Sequence, residues 1–223
     1  LWHRPLTPNE LRQCLRIAFG CTLGFVLCKI FGWSNGVFFT VTPVLLLGMI
    51  PVMNGHAARQ LIASAAMCGL EVGLLGGLFG GHPGLMLPIV FLLFLYRFAA
   101  MSRGSLFLFG ANGVLSLSIM LHFASYPETD LNDLIFSNLW ASVLSVLIAY
   151  LMTALIPDVE ERPRPAPSPK APHRMRHEAL LGASIATLSF LVFQIFDLRD
   201  SMSAQATTLL LLFPMHWNGA LDY

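Results

Sequence analysis

Glu71 is the residue whose type and position most directly suggest chemistry. It interrupts the apolar run from Met67 to Gly73, near the middle of a segment long enough to cross a bilayer. An ionisable side chain at that depth costs about 2–3 kcal/mol or more and usually faces a cavity or a charged partner. Glu71 is therefore either a proton-coupling carboxylate or half of an ion pair, for which Lys29 is the nearest candidate partner. A protonated carboxyl group exposed to lipid is the third alternative.

Glycines recur at every fourth position along the same segment, and Glu71 lies out of phase with them. Helical geometry places Glu71 about 160° away from this glycine stripe. We therefore expect one face of the helix to pack closely against a neighbour and the other to carry the charge. Gly20 and Gly24 form a similar helix-packing face on the first span. The glycine stripe consists of Gly69, Gly73, Gly77 and Gly81.

Threonines and prolines interrupt the second apolar segment. A proline inside a span frees backbone carbonyls, which is tolerated where protein or water satisfies them. Interrupted spans at related places in two halves of a chain are the best sequence indication of a transporter binding site. We hypothesise that this segment and a related one near the C-terminus line a substrate path, with simple helix kinks as the alternative. The residues concerned are Thr40, Thr42, Pro43, Pro51, Gln205 and Thr207.

Three further polar residues lie within or close to the spans. Arg16 and Arg97 lie within a turn or two of the predicted cytoplasmic boundary, where long side chains commonly extend to the headgroups. Attraction of an anionic substrate is the alternative function for both. Asn112 is expected to hydrogen-bond between helices, with substrate contact as the alternative.

The amino-acid composition predicts that these residues lie on membrane-spanning helices. Hydrophobic residues make up 56% of the 223 and charged residues 11%, and the mean hydropathy is +0.69. Soluble domains carry roughly 25% charged residues, so the chain is predicted to be an all-α polytopic membrane protein. We expect eight spans, near 13–33, 36–54, 57–80, 83–102, 105–125, 135–156, 178–197 and 201–218.

The distribution of positive charge predicts the orientation. Of 13 lysines and arginines, all but Lys29 and Arg199 fall at one predicted side of the membrane. By the positive-inside rule that side is the cytoplasm, and it holds the N-terminus and the linker at 157–177. The basic linker is expected to contact anionic lipid headgroups.

The chain is expected to contain an internal repeat. Residues 1–156 form a six-helix transmembrane unit, and 157–177 form a proline-rich linker. At a shift of 165 residues, Thr22-Leu23 falls on Thr187-Leu188 and Thr42 falls on Thr207. We therefore expect residues 178–223 to be the first two helices of a second, parallel repeat, which implies an incomplete portion of a longer protein.

The order of these features resembles the fusaric-acid-resistance and aromatic-acid-exporter superfamily of bacterial inner-membrane proteins. The resemblance rests on residues 15–24, the turn carrying Gly32-Trp33, the segment 40–47, and the glycine-rich helix that begins after Asn54-Gly55. It implies six-helix halves and export of organic, often aromatic, carboxylic acids. It also implies a periplasmic adaptor protein of the membrane-fusion type as a possible partner.

Motifs of other function classes are missing from the sequence. It has no C-x-x-C, no phosphate-binding G-x-x-x-x-G-K-[ST] and no H-E-x-x-H, and the linker is too short for a nucleic-acid domain. We therefore expect neither enzymatic activity nor a metal or other cofactor.

The predicted function is proton-coupled efflux of small organic anions across the inner membrane. The alternatives are an oligomeric passive anion channel and a non-transporting membrane partner of an adaptor.

Overall fold

The computed structural model describes residues 6–50, 53–79, 83–126, 128–159, 170–196 and 202–216, and within them the regular structure is entirely α-helical. The helices are α1 (Pro8–Ile30), α2 (Gly36–Met49), α3 (Gly55–Phe79), α4 (Pro83–Ser102), α5 (Phe107–Ala124), α6 (Leu131–Leu155), α7 (Pro172–Ile195) and α8 (Met202–His216). All eight correspond to predicted apolar segments. The expectation of an all-helical chain is confirmed for the described residues.

Six of these helices are long and apolar enough to cross a membrane: α1, α3, α4, α5, α6 and α7. At 1.5 Å per residue, the 23 residues of α1 extend about 35 Å, which exceeds the roughly 30 Å of a hydrocarbon core. The remaining two, α2 and α8, are apolar but shorter.

Helix α2 is shorter than the predicted span at 36–54. It has 14 residues and extends about 21 Å, which is too short to cross the hydrocarbon alone. Its C-cap residue Ile50 is extended, with φ −115° and ψ 106°. Because Pro51 follows, steric contact with the proline ring disfavours the helical region at Ile50 and ends the helix there. Pro51 itself lies outside the described residues.

The described chain divides into two compact units. The first comprises Leu1–Ile62 and Phe136–Pro165, and the second comprises Ala63–Ile135 and Ala166–Tyr223. Helices α3 and α6 therefore contribute to both. The predicted division into a six-helix unit and a truncated parallel repeat stays a prediction.

In the first unit, α1 and α2 form a closely packed pair. The Phe39 carbonyl of α2 lies directly over Gly24, and a Cβ atom on Gly20 would come within 2.6 Å of the Leu47 side chain and 3.3 Å of Ile148. Glycine at these two positions therefore allows helix backbones to approach closely, as in other membrane helix pairs.

Arg16 anchors the start of the first unit instead of extending to the headgroups. Its residue exposure is only 1%, its Nε donates to the Ile156 carbonyl at 2.7 Å, and its Nη2 donates to Asp158 Oδ1 at 2.5 Å. The expectation of a snorkelling side chain is wrong for this reason: the chain following α6 supplies both a carboxylate and a carbonyl to the guanidinium.

In the second unit, α4 packs against α5 and α7, and α8 packs against α5 and α7. Helix α5 is the most enclosed, and every residue from Leu108 to His122 is buried. Gly110 and Gly182 allow close contact here: a Cβ at Gly110 would lie 2.5 Å from the Arg97 carbonyl, and one at Gly182 would lie 2.7 Å from the Phe98 ring.

The close contact at Gly24 predicts a selective loss of stability. We expect Gly24→Ala to lower the free energy of unfolding by about 1–3 kcal/mol, because the added methyl group overpacks the α1–α2 contact. Gly48→Ala is the matched control, since its Cβ would meet only Ile17 at an ordinary 3.9 Å. Thermal unfolding of the purified protein in detergent measures both, and equal melting temperatures for the two variants would contradict the contact.

Candidate functional site

Three polar side chains share one face of α3 within the second unit. Ser64, Cys68 and Glu71 are spaced four and three residues apart, which places them one above another on a helix. Ser64 Oγ donates to the Phe109 carbonyl at 3.0 Å, and Cys68 Sγ donates to the Gly113 carbonyl at 3.5 Å. Both bonds connect residues 45 apart in sequence, so α3 and α5 run in the same direction.

Glu71 is held by a buried arginine from the neighbouring helix. Arg97 lies in the last two turns of α4, and its Nη2 donates to both carboxylate oxygens of Glu71, at 2.8 and 2.7 Å. The same nitrogen lies 3.7 Å from Cys68 Sγ. The Arg97 side chain is 0% exposed and the Glu71 side chain 12%. The structure therefore contains a charge pair whose positive member is fully enclosed.

This pairing corrects two expectations. Arg97 does not extend to the headgroups, because α3 offers it a carboxylate inside the unit. The partner of Glu71 is Arg97 rather than Lys29, whose Nζ lies 5.6 Å from the centre of the Phe25 ring in the first unit. Charge alone made Lys29 the candidate, but Arg97 reaches Glu71 through the packing of α4 against its neighbours.

Aromatic rings and a glycine shape the space around the guanidinium. Arg97 Cζ lies 4.7 Å from the centre of the Phe109 ring and 5.5 Å from that of Tyr96, within the range of cation–π attraction. A Cβ atom on Gly113 would lie 2.8 Å from Arg97 Cδ and 3.1 Å from Nε and Nη1. A larger residue at position 113 would therefore displace the arginine.

Part of the guanidinium has no hydrogen-bond acceptor. Arg97 Nε and Nη1 are buried and have no partner among the described residues, and the same is true of Asn112 Nδ2 and Ser118 Oγ on α5. Arginine carries five N–H donors, and leaving donors of a buried charged group unsatisfied is costly. Glu71 occupies a single nitrogen, so two nitrogens of the guanidinium lack an acceptor among the described residues.

The glycine stripe of α3 lies against α6. A Cβ atom on Gly69 would lie 2.9 Å from the Ile135 side chain, and one on Gly73 would lie 3.7 Å from it. A Cβ atom on Gly76, which is not part of the stripe, would lie 2.6 Å from the Leu131 side chain. Helix α3 thus carries its small residues towards α6 and its carboxylate towards Arg97. Gly77 lies within α3, and Gly81 lies outside the described residues.

The predicted substrate-path residues are divided between the two units. Thr42 and Pro43 are buried in the first unit, where Thr40 Oγ1 donates back to the Gly36 carbonyl at 3.1 Å. In the second unit, Gln205 Nε2 donates to the Ala186 carbonyl at 3.3 Å, and the exposed Thr207 donates to Ser203. Asn112 adjoins the Glu71–Arg97 cluster, one residue before Gly113.

Sequence reasoning missed Phe109, Gly113 and Ser64 as parts of this cluster. The spacing of Ser64, Cys68 and Glu71 on one face of α3 was the available signal for the α3 side. No comparable pattern marks Phe109 or Gly113, because aromatic and glycine residues are frequent throughout the apolar segments.

The helices and the buried charge pair define a multi-pass helical membrane protein with an ionisable cluster inside one unit. The chain belongs to the family described as "Protein of unknown function (DUF2955)", whose model matches residues 13–152. That range includes Glu71, Arg97 and Gly113. No curated protein and no solved structure matches the chain.

The charge pair predicts strong energetic coupling between positions 71 and 97. Arg97→Gln leaves a buried carboxylate without its cation and is expected to lower the free energy of unfolding by about 3–5 kcal/mol. The double variant with Glu71→Gln is expected to be more stable than the sum of the single effects implies, by about 1–3 kcal/mol.

A double-mutant cycle on the purified protein, followed by thermal or denaturant unfolding in detergent, measures this coupling. A second cycle that combines Glu128→Gln with Arg97→Gln is the control, because Glu128 is exposed in the loop before α6. The effects of these two substitutions on the free energy of unfolding should be additive. Additive effects at positions 71 and 97 would contradict the ion pair.

Proposed function

We propose that this protein is a proton-coupled exporter of small aromatic carboxylic acids across the bacterial inner membrane. The observation that carries the proposal is the enclosed Arg97, which binds Glu71 through one nitrogen while its Nε and Nη1 lack acceptors among the described residues. A substrate carboxylate is the kind of group that a guanidinium recognises best. The resemblance to aromatic-acid exporters supports the same substrate class.

The aromatic neighbours of Arg97 support an aromatic rather than an aliphatic acid. The Phe109 and Tyr96 rings lie beside the guanidinium, and an aromatic substrate can pack on such rings in an offset or edge-to-face arrangement. A carboxylate bound by Arg97 would then place its own ring among apolar side chains. Aliphatic acids of the same charge lose this second contact.

Glu71 is the group proposed to carry the proton. When Glu71 is ionised, its two short bonds hold Arg97 in one position, and in this proposal the gain from binding a carboxylate to an ordered arginine outweighs the repulsion between that carboxylate and Glu71. When Glu71 is protonated, the charge-assisted bonds are lost and Arg97 is no longer fixed. The ionised form therefore binds substrate, and the protonated form is the one that returns empty.

The charges of the two forms fit export driven by the membrane potential. The site with ionised Glu71, Arg97 and a bound anion has a net charge of −1, whereas the empty site with protonated Glu71 has +1. A potential that is negative inside favours outward movement of the first and inward movement of the second, at about 2.3 kcal/mol per charge for each 100 mV. Protonation thus shifts the population between inward- and outward-facing arrangements.

The orientation belongs to the same proposal. We place the N-terminus and residues 157–177 in the cytoplasm, because nearly all basic residues fall on that side. A periplasmic adaptor of the membrane-fusion type and a homo-oligomeric assembly are compatible partners, as the resemblance implies.

The proposal predicts that Glu71→Gln abolishes energised efflux. We expect cells that express the protein to export benzoate and related aromatic carboxylates, a protonophore to stop this export, and Glu71→Gln to reduce its rate at least tenfold. Efflux of radiolabelled acids from preloaded cells, with protein levels measured by immunoblotting, provides the test.

Glu128→Gln is the matched control, because it makes the same chemical change on an exposed loop and should leave efflux unchanged. Equal, protonophore-insensitive efflux by wild type and Glu71→Gln would overturn proton coupling and favour a passive anion channel. Failure to export any acid of the panel would overturn transport of this substrate class.

A further inference from the structure

A cavity opens between α4 and α7, and neither Glu71 nor Arg97 lines it. Its volume is about 480 Å³, within the range of roughly 300–1,000 Å³ typical of small-molecule sites. Leu95, Ala99 and Arg103 line it from the α4 side at intervals of four residues, which is one face of a helix. Met175, Arg176 and Ala179 belong to the wall that α7 provides.

The lining is polarised along the helix axes. Arg103 follows the last residue of α4, and Arg176 lies in the second turn of α7. Both positive charges therefore lie at the end of the cavity formed by the C-terminus of α4 and the N-terminus of α7. Leu95 and Ala99 lie about 12 and 6 Å further along α4, at 1.5 Å per residue. The cavity is therefore cationic at the helix ends and apolar at greater depth.

Neighbouring carboxylates do not neutralise this cationic end. Glu178 is the nearest acidic residue along α7, and it is bound by Lys170 at 2.7 Å and by Arg174 at 3.0 Å. Among the residues that the structure describes, neither Arg103 nor Arg176 has an ion pair. The positive end of the α7 dipole at Pro172 and the negative end of the α4 dipole beside Arg103 oppose each other, so the two arginines determine the potential here.

The cavity also borders a surface suited to hydrocarbon. Leu180 lines it and is 48% exposed, and Leu92, one turn before Tyr96 on α4, is 60% exposed. Large exposed apolar side chains on a membrane helix face lipid tails. A molecule in this cavity can therefore extend from the charged helix ends into the bilayer beside it.

We propose that this cavity, lined by Arg103 and Arg176, is a binding site for an anionic phospholipid. The two arginines would bind the phosphate group, and the apolar walls would hold the upper part of an acyl chain. Basic pockets between membrane helices on the cytoplasmic side bind anionic headgroups by this chemistry. The site does not depend on the transport activity proposed above, because it shares no residue with the Glu71–Arg97 pair.

Lipid titration followed by native mass spectrometry of the purified full chain tests the site. We expect dioleoyl phosphatidylglycerol to bind more tightly than dioleoyl phosphatidylcholine. The double variant Arg103→Gln, Arg176→Gln should lose about twenty-fivefold in affinity for phosphatidylglycerol, from roughly fivefold for each arginine near an anionic headgroup. Its affinity for phosphatidylcholine should stay unchanged.

Arg59→Gln is the charge control, because Arg59 is exposed in the first turns of α3 and does not line the cavity. A second variant, Ala99→Leu, fills the cavity without changing charge and should also weaken phosphatidylglycerol binding. Circular dichroism and size-exclusion chromatography establish whether each variant is folded. If the double variant is not folded, Ala99→Leu and the two single arginine variants provide the test in its place.

Two results would overturn the site. The first is a failure of the variants to discriminate. This means either an unchanged preference for phosphatidylglycerol in the folded arginine variants and in Ala99→Leu, or an equal loss of that preference in Arg59→Gln. The second is binding of glycerol 3-phosphate as tight as that of phosphatidylglycerol, because the cavity would then recognise a soluble anion and not a lipid.

Discussion

The hydrogen-bonded ion pair between Glu71 and Arg97 is the interaction on which the second unit depends. An arginine with no exposed surface carries a large free-energy cost in an apolar environment unless its charge is compensated. Glu71 provides the compensation across the α3–α4 contact, and the absence of a side chain at Gly113 provides the space. Three helices are thereby constrained by one charged group, and loss of either charge affects all three.

The pair is also incompletely satisfied, which separates it from a purely structural bridge. A structural bridge in an apolar interior gains most when every donor has an acceptor. Arg97 uses Nη2 for both oxygens of Glu71, while Nε and Nη1 lie buried beside Gly113 and the Phe109 ring without acceptors in the described part of the chain. The first unit has a contrasting case, because Arg16 bonds both a carbonyl and a carboxylate beyond α6. Among the described residues, only the Arg97 cluster combines an enclosed cation, donors without an acceptor and an acidic partner on another helix.

The sequence predicted the helices better than the contacts between them. Apolar segments of about 20 residues indicate spans because length and hydropathy are local properties, and Pro51 explains why α2 ends early. Glu71 was identified because a carboxylate in an apolar run is rare. Its partner was not, because the choice between Lys29 and Arg97 depends on which helices are neighbours. The predicted parallel repeat and the substrate path through α2 and α8 depend on longer-range arrangement in the same way, and both stay predictions.

Proton exchange during substrate binding tests the coupling between Glu71 and Arg97 most directly. Isothermal titration of benzoate into the purified protein, in two buffers of different ionisation enthalpy, measures the number of protons taken up or released. If ionised Glu71 fixes Arg97 for substrate, benzoate binding to the wild-type protein releases protons, and Glu71→Gln abolishes the release. Proton uptake on binding, or binding without proton exchange at every pH tested, would contradict the proposed antiport.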